Sequence, residues 1–203
     1  MPAVPARAAL LVALLVTGCT LGRSQAPPPA TRANDFRPAE IRQTVVLVRV
    51  VVGSTAGLSE RERKEAPALY ENALLEALDA RAILVRDMRS VEATGGVPDA
   101  AAAAARARDV GVDHALVVSV RVEPSVVRVC EETRRPVQGR ATVWRQEGRL
   151  VRAADGGERL RAEVTTPDVE SECEGTRPSV QRRGVQATTT AAVERLLAKM
   201  FAR

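Results

Sequence analysis

The chain has 203 residues, 30 basic against 25 acidic side chains, one histidine, three cysteines and four aromatic residues (Phe36, Tyr70, Trp144, Phe201). A single histidine cannot supply a His-based metal cluster, and so few rings give a poor face for stacking on sugars. The net charge of +5 is mild and is carried almost wholly by arginine, with Lys64 and Lys199 the only lysines. That pattern fits arginine-rich coding as readily as forked binding of phosphate or carboxylate, for example on lipid headgroups.

A charged start at Arg7 is followed by an apolar stretch over residues 8–16 that ends in Val16-Thr17-Gly18-Cys19. This resembles a bacterial lipobox, in which a small residue lets a peptidase reach the backbone and the cysteine thiol accepts diacylglycerol. The stretch is about half the ~20 residues that a spanning helix requires. Residues 1–18 are therefore read as a lipoprotein signal peptide and Cys19 as the lipidated first residue of the mature chain. Loss of Arg7 lowers the net charge from +5 to +4. Thr20 stands where an aspartate would favour inner-membrane retention in related lipoproteins, so the expected address is the periplasmic face of the outer membrane.

Residues 19–41, with Ser24, Gln25, Pro27-Pro28-Pro29, Asn34 and Pro38, lack apolar periodicity and read as a lipid-anchored tether. Its mean reach as a flexible coil is about 25 Å, and full extension gives at most about 75 Å. Residues 42–203 are expected to form a single α/β periplasmic domain.

The run Val45-Val46-Leu47-Val48-Arg49-Val50-Val51-Val52 is nearly continuous and β-branched, the pattern of a strand covered on both faces. A helix follows, with Leu69, Tyr70, Ala73, Leu74, Ala77 and Leu78 on one face. Ser59 with Glu62 offers a capping box for its start, whereas Pro67 suits a first-turn position and would kink a helix begun at Ser59. A short strand is expected over residues 82–85. Pro98 and Asp99 then mark a helix start and Gly111 its end, with Ala101, Ala104 and Ala105 as a small face.

A second buried strand covers residues 115–120, completing a βαβαβ order. From Val126 onward the pattern predicts shorter, half-exposed alternating strands, with turns at Glu147-Gly148 and Asp155-Gly156-Gly157. The chain closes with an amphipathic helix carrying Val193, Leu196, Leu197, Met200 and Phe201, capped from among Thr188, Thr189 and Thr190, and expected to dock on the sheet. The predicted fold is thus α/β, a mixed sheet with a βαβαβ core, additional antiparallel strands and a C-terminal amphipathic helix.

The stretch Gly111-Val112-Asp113-His114-Ala115-Leu116-Val117-Val118-Ser119-Val120 resembles the helix, Gly-x-Asp, aliphatic-strand signature of a broad periplasmic family. Its members include the periplasmic domain of the curli-secretion lipoprotein, the amino-terminal domain of the Tol-system translocation protein, and lipoprotein activators of penicillin-binding proteins. Leu74, Leu78 and Val85 and the terminal helix agree in order. The resemblance implies a non-enzymatic module that binds periplasmic or outer-membrane protein partners. A secretion pore would need apolar-faced strands of about 9–11 residues, and the candidate segment 137–151 carries Arg140, Arg145, Glu147 and Arg149. A long-armed activator is disfavoured by the short tether.

With Cys19 lipidated, Cys130 and Cys173 are either a disulfide, in a compartment where disulfides persist, or two buried thiols; the bridge is the favoured reading. Both cysteines open segments that share the pattern C-E-x-T-R-x-x-V-Q-x-R. The match is a coincidence, a duplicated hairpin edge, or a partner-binding surface built from Glu131, Thr133, Arg134, Glu174, Thr176 and Arg177.

The chain contains no H-E-x-x-H, G-x-S-x-G or S-x-x-K pattern. His114, before an apolar strand, reads as a strand-end histidine, and Gly53-Ser54-Thr55-Ala56-Gly57 as a plain turn. No catalytic residue, metal, cofactor, small-molecule substrate or nucleic-acid partner is expected. The expected role is an anchored protein-binding or envelope-assembly module. A periplasmic enzyme with an unrecognised carboxylate site, or a structural envelope protein, is the alternative.

Overall fold

The computed structural model describes residues 29–92, 96, 99–130, 137–173 and 179–202. Six strands, β1 (Thr31–Arg32), β2 (Gln43–Val52), β3 (Leu84–Ser90), β4 (His114–Val129), β5 (Val137–Arg152) and β6 (Glu158–Pro167), form a mixed sheet in the order β1-β6-β5-β4-β2-β3. Next to its β3 edge, β2 lies parallel to both β3 and β4. The connecting helices are α1 (Glu60–Asp79) and α2 (Ala100–Val110), so β2-α1-β3-α2-β4 is the expected βαβαβ core. Beyond β4 the sheet turns antiparallel through β5, β6 and the short β1. A separate hairpin joins β7 (Val169–Glu172) to β8 (Ser179–Arg182), and α3 (Val185–Phe201) ends the fold.

Alternation along the strands divides the core in two. Val46, Val48, Val50, Leu116, Val118, Trp144 and Leu150 face α1 and α3, meeting Tyr70, Leu74, Leu78, Leu196, Leu197 and Met200. On the other face Val45, Leu47, Ala115, Val117 and Val151 meet Ala103, Ala104 and Ala107 of α2. This explains the continuous apolar run of β2, because helices cover it from both sides. Where α2 ends, that second face turns charged: Arg145 pairs with Glu123 at 2.5 Å and Arg161 with Glu147 at 2.6 Å.

Buried polar groups tie the layers together. The Tyr70 hydroxyl donates to Gln146 Oε1 at 2.6 Å, and Gln146 Nε2 donates to the Ala192 carbonyl at 3.0 Å, linking α1, β5 and α3. Complete burial pushes the Tyr70 phenol far above its ordinary range.

Several local expectations are corrected. Helix α1 starts at the capping box, with Ser59 N–H donating to Glu62 at 2.8 Å and Glu62 N–H to Ser59 Oγ at 3.3 Å, and it runs through Pro67. The strand expected at 82–85 starts at Leu84, because Ala82, at φ 55°, belongs to the turn leaving α1. The small face of α2 is Ala103, Ala104 and Ala107, with Ala101 exposed. Glu147 and Gly148 sit inside β5, and β4 and β5 each span 16 residues instead of breaking into short strands. Asp155-Gly156-Gly157 does form the β5–β6 turn, with Arg152 N–H donating to the Gly157 carbonyl at 2.9 Å. Gly184, not a threonine, caps α3, while the Thr188 hydroxyl donates to the Gly184 carbonyl one turn back at 3.0 Å.

The last part of the segment read as a tether lies against the sheet. Ala33 N–H donates to the Arg159 carbonyl at 2.9 Å, Asp35 pairs with Arg159 at 2.6 Å, and Phe36 and Ile41 are buried in the core.

Candidate functional site

The feature that breaks the outline of the sheet is the hairpin of β4 and β5. Its ladder runs from His114↔Arg152 to Val129↔Val137. The neighbours stop earlier: β2 accompanies β4 as far as Val122, and β6 accompanies β5 from Val143. From Pro124↔Thr142 outward no third strand among the described residues joins the ladder, and at 3.4 Å per residue the ribbon extends roughly 17–20 Å.

The β7–β8 hairpin braces this ribbon. Asp168 N–H donates to the Thr142 carbonyl at 2.8 Å, and Thr142 N–H donates to Asp168 Oδ1 at 2.9 Å, so a buried carboxylate locks the base. Arg183 N–H donates to the Asp168 carbonyl at 2.7 Å, and the Arg183 guanidinium to the Val169 carbonyl at 3.2 Å. Farther out, Arg182 reaches the Arg140 carbonyl at 3.3 Å.

At the far end Cys130 and Cys173 form a disulfide with Cα atoms 5.3 Å apart and a sequence separation of 43 residues. The half-cystine of Cys130 is buried and holds a left-handed backbone at φ 60°, a conformation that costs a non-glycine residue energy and persists where surroundings enforce it. The two hairpins are thus fastened at base and tip. Apolar side chains remain outward on both, with Val126 65% and Val180 42% exposed. The six residues assigned to partner binding, Glu131, Thr133, Arg134, Glu174, Thr176 and Arg177, lie outside the described residues, as does Cys19. By connectivity the two matching segments depart from the bridged cysteines.

Four exposed or partly exposed carboxylates elsewhere are held ionised by their hydrogen-bond partners. Arg159 keeps Asp35 below the usual carboxylate range, chiefly through its hydrogen bond, and Arg106 does the same for Asp87 with help from Arg89. The Ser59 hydroxyl lowers Glu62, and Arg152 lowers Asp155. A general acid requires the opposite shift. Among the described residues no group of three or more His, Cys, Asp or Glu side chains could hold a metal, and no helix is long and apolar enough to cross a membrane.

His114 opens β4, half-buried, with its ring edge-on to Phe36 at 6.0 Å between centroids. In the 53–57 turn, Gly53 N–H already donates to the Val122 carbonyl and Ala56 N–H to the Gly53 carbonyl, while the Ser54 carbonyl accepts from Arg63 at 3.1 Å. Those groups serve the turn itself.

One site escaped the sequence reading. A cavity of about 680 Å³ opens where the chain enters the fold, ringed by Arg32, Arg37, Arg42 and Arg81. Phe36, Ile41, Ile83 and Phe201 supply its apolar lining. Three of these arginines fall within residues 32–42, a density that could have flagged the segment; Arg81 and Phe201 join only through folding.

No protein-family model matches the chain, and no curated protein is similar to it in sequence. Among solved structures, it is similar to a PelC dodecamer from Paraburkholderia phytofirmans, with TM-score 0.44 and 18% identity over 88% of this chain and 96% of that one. It is also similar to a neuraminyllactose-binding hemagglutinin homolog from Helicobacter pylori, with TM-score 0.39 and 7% identity over 83% and 89% of the two chains. A third is protein XCC0632 from Xanthomonas campestris, with TM-score 0.36 and 16% identity over 86% and 88%.

Proposed function

We propose that this chain is a lipid-anchored envelope protein that holds its α/β body on the periplasmic face of the outer membrane and works there by binding a protein partner, without catalysis. The observation that carries the reading is the pair of hairpins fastened at base and tip by Asp168 and the Cys130–Cys173 bridge. A ribbon held this way loses little conformational freedom when a partner docks, which is how preorganised surfaces gain affinity. Exposed Val126 and Val180 supply apolar contact, and the matching segments that start at the cysteines supply Glu131, Arg134, Glu174 and Arg177 for charge recognition. The disulfide suits an oxidising compartment, in line with the lipobox.

Photo-crosslinkers at Val126 and Val180 in intact envelopes should capture a defined protein that a crosslinker at Leu84, exposed on the opposite edge strand, does not. Arg134→Glu combined with Arg177→Glu should reduce that capture at least fivefold through reversed charge. Equal capture from all three positions, or capture unaffected by the double substitution, would remove the ribbon from the binding surface.

A further inference from the structure

The cavity at the entrance of the chain into the fold brings four arginines together with apolar side chains. Two of its four guanidinium groups are committed to the fold. Arg32 donates to the Ala202 carbonyl at 2.7 Å, capping the C-terminal end of α3. Arg81 donates to the Ala77 carbonyl at 2.7 Å and pairs with Glu194 at 2.6 Å, doing the same for α1. Helix C-termini carry partial negative charge, so these two cations are matched.

Arg37 and Arg42 are different. They stand on either side of the 3-10 turn Pro38–Glu40, both exposed, and no carboxylate among the described residues pairs with either. Between them and the helix ends lie Phe36, Ile41 and Ile83, only 7%, 3% and 5% exposed, and the ring of Phe201. A volume of about 680 Å³ is in the range of cavities that enclose an organic ligand, far more than a bare phosphate occupies. Guanidinium forks beside an apolar floor match a phosphate joined to hydrocarbon.

We propose that this cavity takes the phosphate headgroup and first acyl carbons of an anionic phospholipid, with Arg37 and Arg42 on the phosphate. Position supports the occupant, and this step rests on the anchored reading above. Arg32 is 13 residues from Cys19, so the anchored reading puts the cavity within about 45 Å of extended chain from the lipid. Lipid bound there orients the body and points the β4–β5 ribbon away from its entry point.

The full chain carrying Cys19→Ser, which removes the acyl acceptor, is titrated calorimetrically with dihexanoyl-phosphatidylglycerol, dihexanoyl-phosphatidylcholine and inorganic phosphate, all below micelle-forming concentration. The phosphatidylglycerol should bind at least tenfold more tightly than either of the others. Arg37→Glu with Arg42→Glu should abolish that preference, Phe201→Ala should weaken it at least threefold, and Arg61→Glu, far exposed on α1, should leave it unchanged. Equal binding of the two lipids, phosphate binding as tightly as the phosphatidylglycerol, or a preference that survives the double arginine substitution would overturn the proposal. Because the titrated chain is unacylated, failure of the anchor would appear only in cell fractionation and leave this result standing.

Discussion

Gly148 sits in the middle of a strand because of what passes above it. A Cβ built there would lie 2.5 Å from Met200 Sδ and 3.3 Å from Leu196 Cδ1, so the missing side chain is what lets α3 settle onto β5. Gly148→Ala should destabilise the fold by about 1–3 kcal/mol, the usual range for overpacking. Met200→Ala in the same chain should cost less than its single-mutant value predicts, because the cavity it leaves accepts the new methyl; additive losses in a double-mutant denaturation cycle would contradict the contact. In sequence a Glu-Gly pair between alternating residues is indistinguishable from hairpin punctuation. Only the helix returning from more than forty residues away shows why the glycine is there.

His114 carries the one titration expected near neutral pH. Partial burial holds its imidazole below the ordinary 6.5, with Arg159 and Arg152 acting in the same direction and Asp113 and Glu40 opposing. A depressed folded-state pKa means that the unfolded chain takes up the proton first as pH falls. The neutral ring's contribution is therefore complete above pH ~6.5 and is lost as pH drops through the lower folded value. Denaturant midpoints should decline between about pH 7 and 5, before the lowered carboxylates of Asp35 and Asp87 come into play below about pH 4, and His114→Gln should flatten that decline. Identical slopes for the two proteins would assign the acid sensitivity elsewhere.

At the scale of elements, the disulfide has the largest expected effect. With the cysteines 43 positions apart in sequence, the chain-entropy treatment assigns the bridge about 4 kcal/mol before strain. Cys130→Ser with Cys173→Ser should lower the thermal midpoint, and amide exchange should quicken first in residues 124–129 and 137–142, where the ribbon lacks a third strand. Protection unchanged in those residues would mean that the Asp168 base alone holds the hairpins.

Elements were legible where one local rule dominated. The β-branched run of β2, the Asp99 and Gly111 ends of α2, and the apolar stripe of α3 follow from burial period and capping, which short stretches of chain encode directly. Where two local rules competed, packing decided. Pro67 forgoes one helical hydrogen bond, yet α1 continues because Ala66, Tyr70, Ala73 and Leu74 on either side are buried against the sheet. Strands β4 and β5 looked short because their outer halves carry polar and exposed residues. They are long because each is the other's ladder partner, a pairing that composition does not announce.

For the whole molecule, the proposed anchor is the element that would set which way each surface faces. Cys19→Ser should leave an unlipidated, unprocessed or mislocalised chain, and Thr20→Asp should move the protein toward the inner membrane; mature protein with unaltered density-gradient position in both variants would contradict the lipobox and its sorting. Inner-membrane retention would present the ribbon to a different set of partners.

The sequence by itself determined the α/β class, the βαβαβ order and the C-terminal amphipathic helix, because each depends on residues close together in the chain. Tertiary structure decided the rest. It extended the β4–β5 ribbon beyond its neighbours, set Cys130 against Cys173, laid α3 across Gly148, and gathered Arg32, Arg37, Arg42 and Arg81 with Phe201 around one cavity. Those outcomes join residues tens to more than a hundred positions apart. Local propensity says nothing about such pairs, whereas the burial of two apolar faces on one sheet leaves the chain few ways to bring them together.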